Sequence, residues 1–142
     1  MAMSIDHVVL WVEDAGRAVD FYVRVVGLAP VRPDEVAAGR APFPSVRIDG
    51  GAIFDLVPRA GAAKARAFTG DVTSTDVPAA LNHVCLALDR PAYDVLAARL
   101  AAAGVAMHRT GETNYGARGL AHHWFYFRDP DGNVIEARTY DA

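Results

Sequence analysis

The sequence predicts an α+β fold made of two tandem βαβββ units, one over residues 4–58 and one over residues 81–140, joined by residues 59–80. Three observations carry that prediction. Ser4-Ile5-Asp6-His7-Val8-Val9-Leu10 returns as Ala80-Leu81-Asn82-His83-Val84-Cys85-Leu86, which sets His7 against His83. Gly51-Ala52-Ile53-Phe54-Asp55 returns as Gly132-Asn133-Val134-Ile135-Glu136, which sets Asp55 against Glu136. Between these ends, two helical periodicities stop at Gly27 and Gly104, nearly the same distance along each half. These matches, all in one order, mark a supersecondary unit used twice.

The elements follow in order. Residues 5–12 are rich in β-branched and aromatic side chains and read as a strand. Asp14 is a good N-cap, and Ala15, Ala18, Val19, Tyr22, Val25 and Val26 recur at helical spacing up to the Gly27 stop. Short strands are expected over residues 29–32 and 45–48, with an exposed loop between them broken by Pro33, Gly39, Pro42 and Pro44. Asp49-Gly50-Gly51 is a hairpin turn into a strand over residues 52–57. Residues 58–80 are small and polar, with one helical turn expected at residues 62–68. The second half repeats the scheme. Asp89 caps and Pro91 fits the first turn of a helix whose apolar face is Tyr93, Leu96, Leu100 and Ala103. Residues 105–108 read as a strand and residues 111–119 as a flexible, lid-like loop. The last hairpin runs through Asp129-Pro130-Asp131-Gly132, where Pro130 presets φ and Gly132 tolerates a positive one.

Composition narrows the function. One domain of 142 residues with a net charge of −3 has no basic footprint for nucleic acid. A single cysteine, Cys85, excludes a disulfide framework and reads as a small core residue. No signal peptide or membrane-spanning run is visible, so the cytoplasm is the expected location.

The chemistry concentrates on the repeated positions. Glu136 sits inside an apolar strand, where a carboxylate is costly to bury without a cation or hydrogen-bond donors. Two paired units would bring His7, Asp55, His83 and Glu136 towards one concave surface. Imidazoles and carboxylates together suit a divalent transition metal: Fe, Zn, Mn, Ni or Co. His7, His83 and Glu136 are the expected ligands. Asp55, one methylene shorter than glutamate, is expected to act through water or as a base. Substrate contacts are expected from Arg47, from Tyr115 and Arg118 in the loop, and from His122 and Trp124 on one side of the penultimate strand.

Ile5-Asp6-His7-Val8, Asp20-Phe21-Tyr22, Gly27-Leu28, Leu81-Asn82-His83-Val84 and the closing run from Phe127 to Glu136 together resemble the vicinal oxygen chelate superfamily. Its members include glyoxalase I, extradiol dioxygenases, fosfomycin-resistance transferases and bleomycin-resistance proteins. The resemblance implies a glyoxalase/dihydroxybiphenyl dioxygenase-like curved sheet around a metal cleft, commonly in a homodimer. It maps the metal positions onto His7, His83 and Glu136, and in four-ligand members also onto Asp55, where those members usually carry glutamate. It further implies a small oxygenated substrate held by two neighbouring oxygens on a Lewis-acidic metal, with Glu136 and Asp55 as the catalytic carboxylates. The alternatives are a drug- or metabolite-sequestering protein of the bleomycin-resistance type and a fosfomycin-type thiol transferase.

Overall fold

The β-branched run after Asp6 forms strand β1 (His7–Val12), which alternates as its sequence does: Leu10 and Val12 are buried while His7 and Val9 face outward. The computed structural model describes residues 5, 7–61, 81, 83–109, 111–116 and 118–142. Asp6, Asn82 and the helical turn expected at residues 62–68 lie outside the described residues. The chain divides into two units, Met1–Ala80 and Leu81–Ala142.

In the first unit, Asp14 caps helix α1 (Ala15–Asp20) by accepting the Arg17 backbone N–H at 2.8 Å. The helix widens into a π-helical turn over Phe21–Val26 and stops at Gly27, whose φ of 90° is a left-handed conformation that glycine adopts without strain. The chain then enters β2 (Ala29–Val31). The first departure from expectation follows, because residues 33–37 are not loop but a short helix, α2 (Pro33–Ala37). Pro33 is a starter here rather than a breaker, since its fixed φ suits the first helical turn, and Asp34 and Glu35 favour the positive end of the helix dipole. Strand β3 (Ser45–Arg47) turns at Asp49, whose carboxylate accepts the backbone N–H groups of Gly51 and Ala52, into β4 (Ile53–Pro58). The sheet order is β1-β4-β3-β2, with β4 parallel to β1 and antiparallel to β3. Helix α1 packs on β4, and the core closes where the Tyr22 ring meets the Phe54 ring edge-on at 5.7 Å.

The second unit repeats this order. Strand β5 (Val84–Ala87) leads to helix α3 (Arg90–Ala102), capped by Asp89 through the Ala92 N–H, with Tyr93, Leu96 and Leu100 buried as the periodicity requires. Strands β8 (His123–Arg128) and β9 (Val134–Thr139) complete a sheet ordered β5-β9-β8, with β5 and β9 parallel. The strand expected over residues 105–108 contracts to one bridge between His108 and Tyr126. That bridge still stands beside β8 where β2 stands beside β3. The segment expected to be a flexible loop contains a hairpin of β6 (Asn114–Gly116) and β7 (Gly119–Ala121).

The turn between β8 and β9 is built around Asp129, which is 5% exposed. Its Oδ1 accepts the backbone N–H groups of Asp131 and Asn133, at 2.9 and 2.8 Å, and its Oδ2 accepts the Asn133 side-chain amide at 2.9 Å. Gly132 takes a φ of 82°, as the turn chemistry predicts. No described helix is long and apolar enough to cross a membrane.

Candidate functional site

Strand alternation decides which side chains can meet. In the second unit Glu136 pairs across the sheet with Cys85 on one side and Tyr126 on the other, while Trp124 stands opposite Arg138. All five therefore share one face, and Ile135, Ala137 and Thr139 take the opposite, fully buried one. His83, just before β5, joins the first face. Its Nε2 lies 3.2 Å from Glu136 Oε2, and its ring meets Tyr126 edge-on at 5.2 Å.

The partner that Glu136 demands is Arg138, two residues further along the same strand. Both are nearly inaccessible, at 1% and 4% exposure. Arg138 donates through Nε, at 3.0 Å, and Nη2 to Oε1 of the carboxylate, and the Asn114 side-chain amide donates to the same oxygen at 3.2 Å. Burial works against the charged guanidinium, but its bonds to Glu136 and to the Tyr140 hydroxyl outweigh that and push its pKa above the usual range. Tyr140 in turn accepts the Arg118 backbone N–H at 3.2 Å, which together with Arg138 lowers its phenol pKa. Through Asn114 and Arg118, the β6–β7 hairpin is pinned to β9. Burial and the nearby Glu136 charge raise the Tyr126 phenol, so it stays protonated at neutral pH.

The first unit carries a sparser version. Val9 and Ser45 pair with Asp55 from either side, as Cys85 and Tyr126 pair with Glu136. Asp55 is buried, accepts the Ser45 hydroxyl on Oδ1 at 2.6 Å, and has Oδ2 4.0 Å from His7 Nε2. In both units, then, one carboxylate oxygen is tied back to the sheet and the other faces a histidine. Among the described residues, no three His, Cys, Asp or Glu side chains lie close enough to hold a metal ion.

The remaining expected contacts disperse. Arg47 is exposed on the Asp55 face of β3. Arg118 stacks its guanidinium 4.6 Å over the Tyr140 ring. His122 is exposed, and its carbonyl accepts Arg109 Nη2 at 2.9 Å. Trp124 lies on the Glu136 face but is buried, edge-on to Tyr126 at 5.6 Å. Of Tyr115, the backbone pairs with Leu120. Sequence reasoning missed Arg138, Asn114 and Ser45. Only Arg138 left a signal, an acid and an arginine two apart in an otherwise apolar strand.

Cys85 is a correction. It is exposed rather than a core residue, because Leu86 takes the core side of β5 and alternation turns Cys85 to the Glu136 face. Partial desolvation, then the Glu136 charge, raise its thiol pKa. A raised pKa leaves less thiolate at a given pH, so Cys85 is expected to react with iodoacetamide at pH 8 several-fold more slowly than a free thiol. Glu136→Gln is expected to speed that reaction, as competition alkylation read by mass spectrometry would show.

The model of the Glyoxalase/Bleomycin resistance protein/Dioxygenase superfamily matches residues 4–137. Among solved structures, the integron cassette protein VPC_CASS1 from the mobile metagenome of V. Pseudocholerae is 26% identical, with a TM-score of 0.71 over 100% of this chain and 98% of that one. A glyoxylase/bleomycin resistance protein/dioxygenase domain from Frankia sp. EAN1pec is 23% identical, with a TM-score of 0.65 over 98% and 93%. Lactoylglutathione lyase from Agrobacterium tumefaciens is 19% identical, with a TM-score of 0.61 over 97% and 94%. No curated protein matches the chain.

Proposed function

Because the chain belongs to the Glyoxalase/Bleomycin resistance protein/Dioxygenase superfamily, we propose that it is a divalent-metal-dependent enzyme of the glyoxalase/dioxygenase type, acting on a small oxygenated metabolite. The single observation that carries this reading is the same histidine–carboxylate pairing on equivalent strands of both units, His7 with Asp55 and His83 with Glu136. Superfamily members commonly use divalent metals, and imidazole and carboxylate are donors that suit one. Two bonds of about 2.0–2.2 Å meeting at one ion span a gap like the 3.2 Å between His83 Nε2 and Glu136 Oε2. His83 and Glu136 would be among the residues that hold the ion. Bound there, it would supply Lewis acidity to two neighbouring substrate oxygens.

The chain's own residues would do the rest. Asp55, steadied by Ser45 on one oxygen, is placed to hold a proton on the other. Tyr126 keeps its proton and can donate it to a substrate oxygen. A hollow of about 570 Å³ beside Tyr126, walled by Val105, Ala106, Phe127 and Val134 together with His108 and Arg128, suits a substrate with both apolar and polar portions. A homodimer and a cytoplasmic location belong to the same reading.

Metal analysis of the purified protein after dialysis tests it. About one equivalent of a transition metal per chain is expected, falling sharply in His83→Ala. Less than about a tenth of an equivalent, with no gain on reconstitution, overturns it. One observation favours a second reading, a metal-free protein that sequesters a drug or metabolite: Arg138 already compensates the Glu136 charge. That reading requires metal analysis to come out empty in a protein that is fully folded.

A further inference from the structure

We infer that the hollow beside Tyr126 takes a small organic carboxylic acid as its anion, with the carboxylate on Arg128 and the apolar body against Val105, Ala106, Phe127 and Val134. The inference rests on the reading above that this hollow receives the substrate, and it needs no metal. The walls include two side chains able to donate to an anion, His108 and Arg128, and among the described residues no carboxylate lines the space. Arg128 is exposed, and among the described residues it pairs with no acid. Its Nη1 donates to the Gly132 carbonyl at 3.4 Å, a long bond that holds the guanidinium loosely. A planar guanidinium so placed matches a carboxylate with two parallel N–H bonds.

Strand alternation puts these pieces on one side of the sheet. Tyr126 and Arg128 share the Glu136 face of β8, and Val134 stands opposite Arg128 on β9. His108 exchanges both backbone hydrogen bonds with Tyr126, at 2.8 and 2.7 Å, which fixes that wall beside β8. Glu136 lies on the same face, but Arg138 already compensates its charge from within the same strand. The formal charge left unbalanced among the walls is that of Arg128. The first unit carries an arginine at the same register. There Arg47 stands opposite Ile53, two residues beyond Ser45 opposite Asp55, just as Arg128 opposite Val134 lies two beyond Tyr126 opposite Glu136. The cation therefore belongs to the repeated pattern of histidine, acid and arginine, and not only to the Asp129 turn.

The test is titration of isotope-labelled protein with hydrocinnamate and with hydrocinnamyl alcohol, which share an apolar body and differ in charge, followed by amide chemical shifts. The acid is expected to bind at least about tenfold more tightly than the alcohol, shifting the amides of Ala106, His108, Phe127 and Val134. Arg128→Met, at an exposed position, is expected to weaken the acid at least about tenfold and to leave the alcohol within about twofold. Ala106→Trp puts a ring into the hollow and is expected to weaken both compounds at least about tenfold. Equal affinity for acid and alcohol in the wild type overturns the inference even should Arg128→Met not fold. So does an acid affinity unmoved by Arg128→Met or by Ala106→Trp, or the absence of acid binding below about 10 mM. Titrations with and without EDTA separate this result from the metal reading. An acid that binds through Arg128 in metal-free protein upholds the inference whatever metal analysis finds, and an acid that binds only metal-loaded protein overturns it.

Discussion

Glu136→Ala is expected to destabilise the metal-free protein by about 3–5 kcal/mol, and most of that loss should arise at Arg138. In the wild type the two charges cancel within a strand whose opposite face is sealed by Ile135, Ala137 and Thr139. Removing the carboxylate leaves a guanidinium that is 4% exposed and keeps the Tyr140 hydroxyl as a hydrogen-bond acceptor. Arginine cannot escape by losing its proton, so the fold must either strand the charge or open to water around it. The double substitution Glu136→Leu with Arg138→Met removes both charges and keeps the volume. It should recover most of the stability, as buried ion pairs replaced by apolar residues generally do. Urea unfolding of Glu136→Leu, of Arg138→Met and of the double variant closes the cycle. A double variant as unstable as Glu136→Ala would mean that the pair is not the source of the loss.

Asp129→Ala is expected to lower stability by about 3 kcal/mol and to loosen β9 selectively. The carboxylate gathers two backbone N–H groups and a side-chain amide into a turn that is largely shielded from solvent. Alanine leaves those donors unanswered. The register of β9 against β8 starts at this turn, with Arg128 opposite Val134, and continues two pairs on to Tyr126 opposite Glu136. Hydrogen exchange should therefore accelerate first at the amides of Val134 and Ile135, and Asp129→Asn, which keeps one acceptor, should fall between alanine and wild type. Exchange that accelerates evenly over both units would contradict the local role assigned to Asp129.

Much of the fold was legible because its signals are local. Asp14 and Asp89 cap helices, Gly27 and Gly104 end them, and Asp129-Pro130-Asp131-Gly132 turns the hairpin, each by chemistry contained within a few residues. The misreadings have a common physical origin in residues with two opposite uses. Pro33 breaks a helix from within but begins one at its first position, and it does the latter. Residues 114–121 contain two glycines, Gly116 and Gly119, which suit a loop and equally suit the tight β6–β7 hairpin. The strand at residues 105–108 has suitable side chains, yet backbone pairing with β8 is made at His108 alone.

The site was legible in its acids and histidines and illegible in what restrains them. Repetition set Asp55 against Glu136 and His7 against His83, and the strand registers bear out that equivalence, with Val9 opposite Asp55 and Cys85 opposite Glu136. Which donor satisfies each carboxylate depends on side-chain direction. Ser45 reaches Asp55 from a neighbouring strand and Asn114 reaches Glu136 from a separate hairpin, so no spacing in the sequence announces either. Arg138 is the exception: the expected partners of Glu136 are the histidines His7 and His83, while the arginine that binds its carboxylate stands two residues along the same strand.

The strand order has a consequence for how the protein is made. In each unit the first strand pairs with the last, β1 with β4 and β5 with β9, and that last strand lies inside the sheet with a neighbour on either side. During synthesis the earlier strands must therefore wait with open edges until the closing strand leaves the ribosome, and pairing over so long a stretch of chain is slow. The closing strand is also the one that carries the acid, Asp55 in one unit and Glu136 in the other. An incomplete unit thus has its histidine but no carboxylate beside it, and each histidine–acid pair comes into being at the step that completes its sheet.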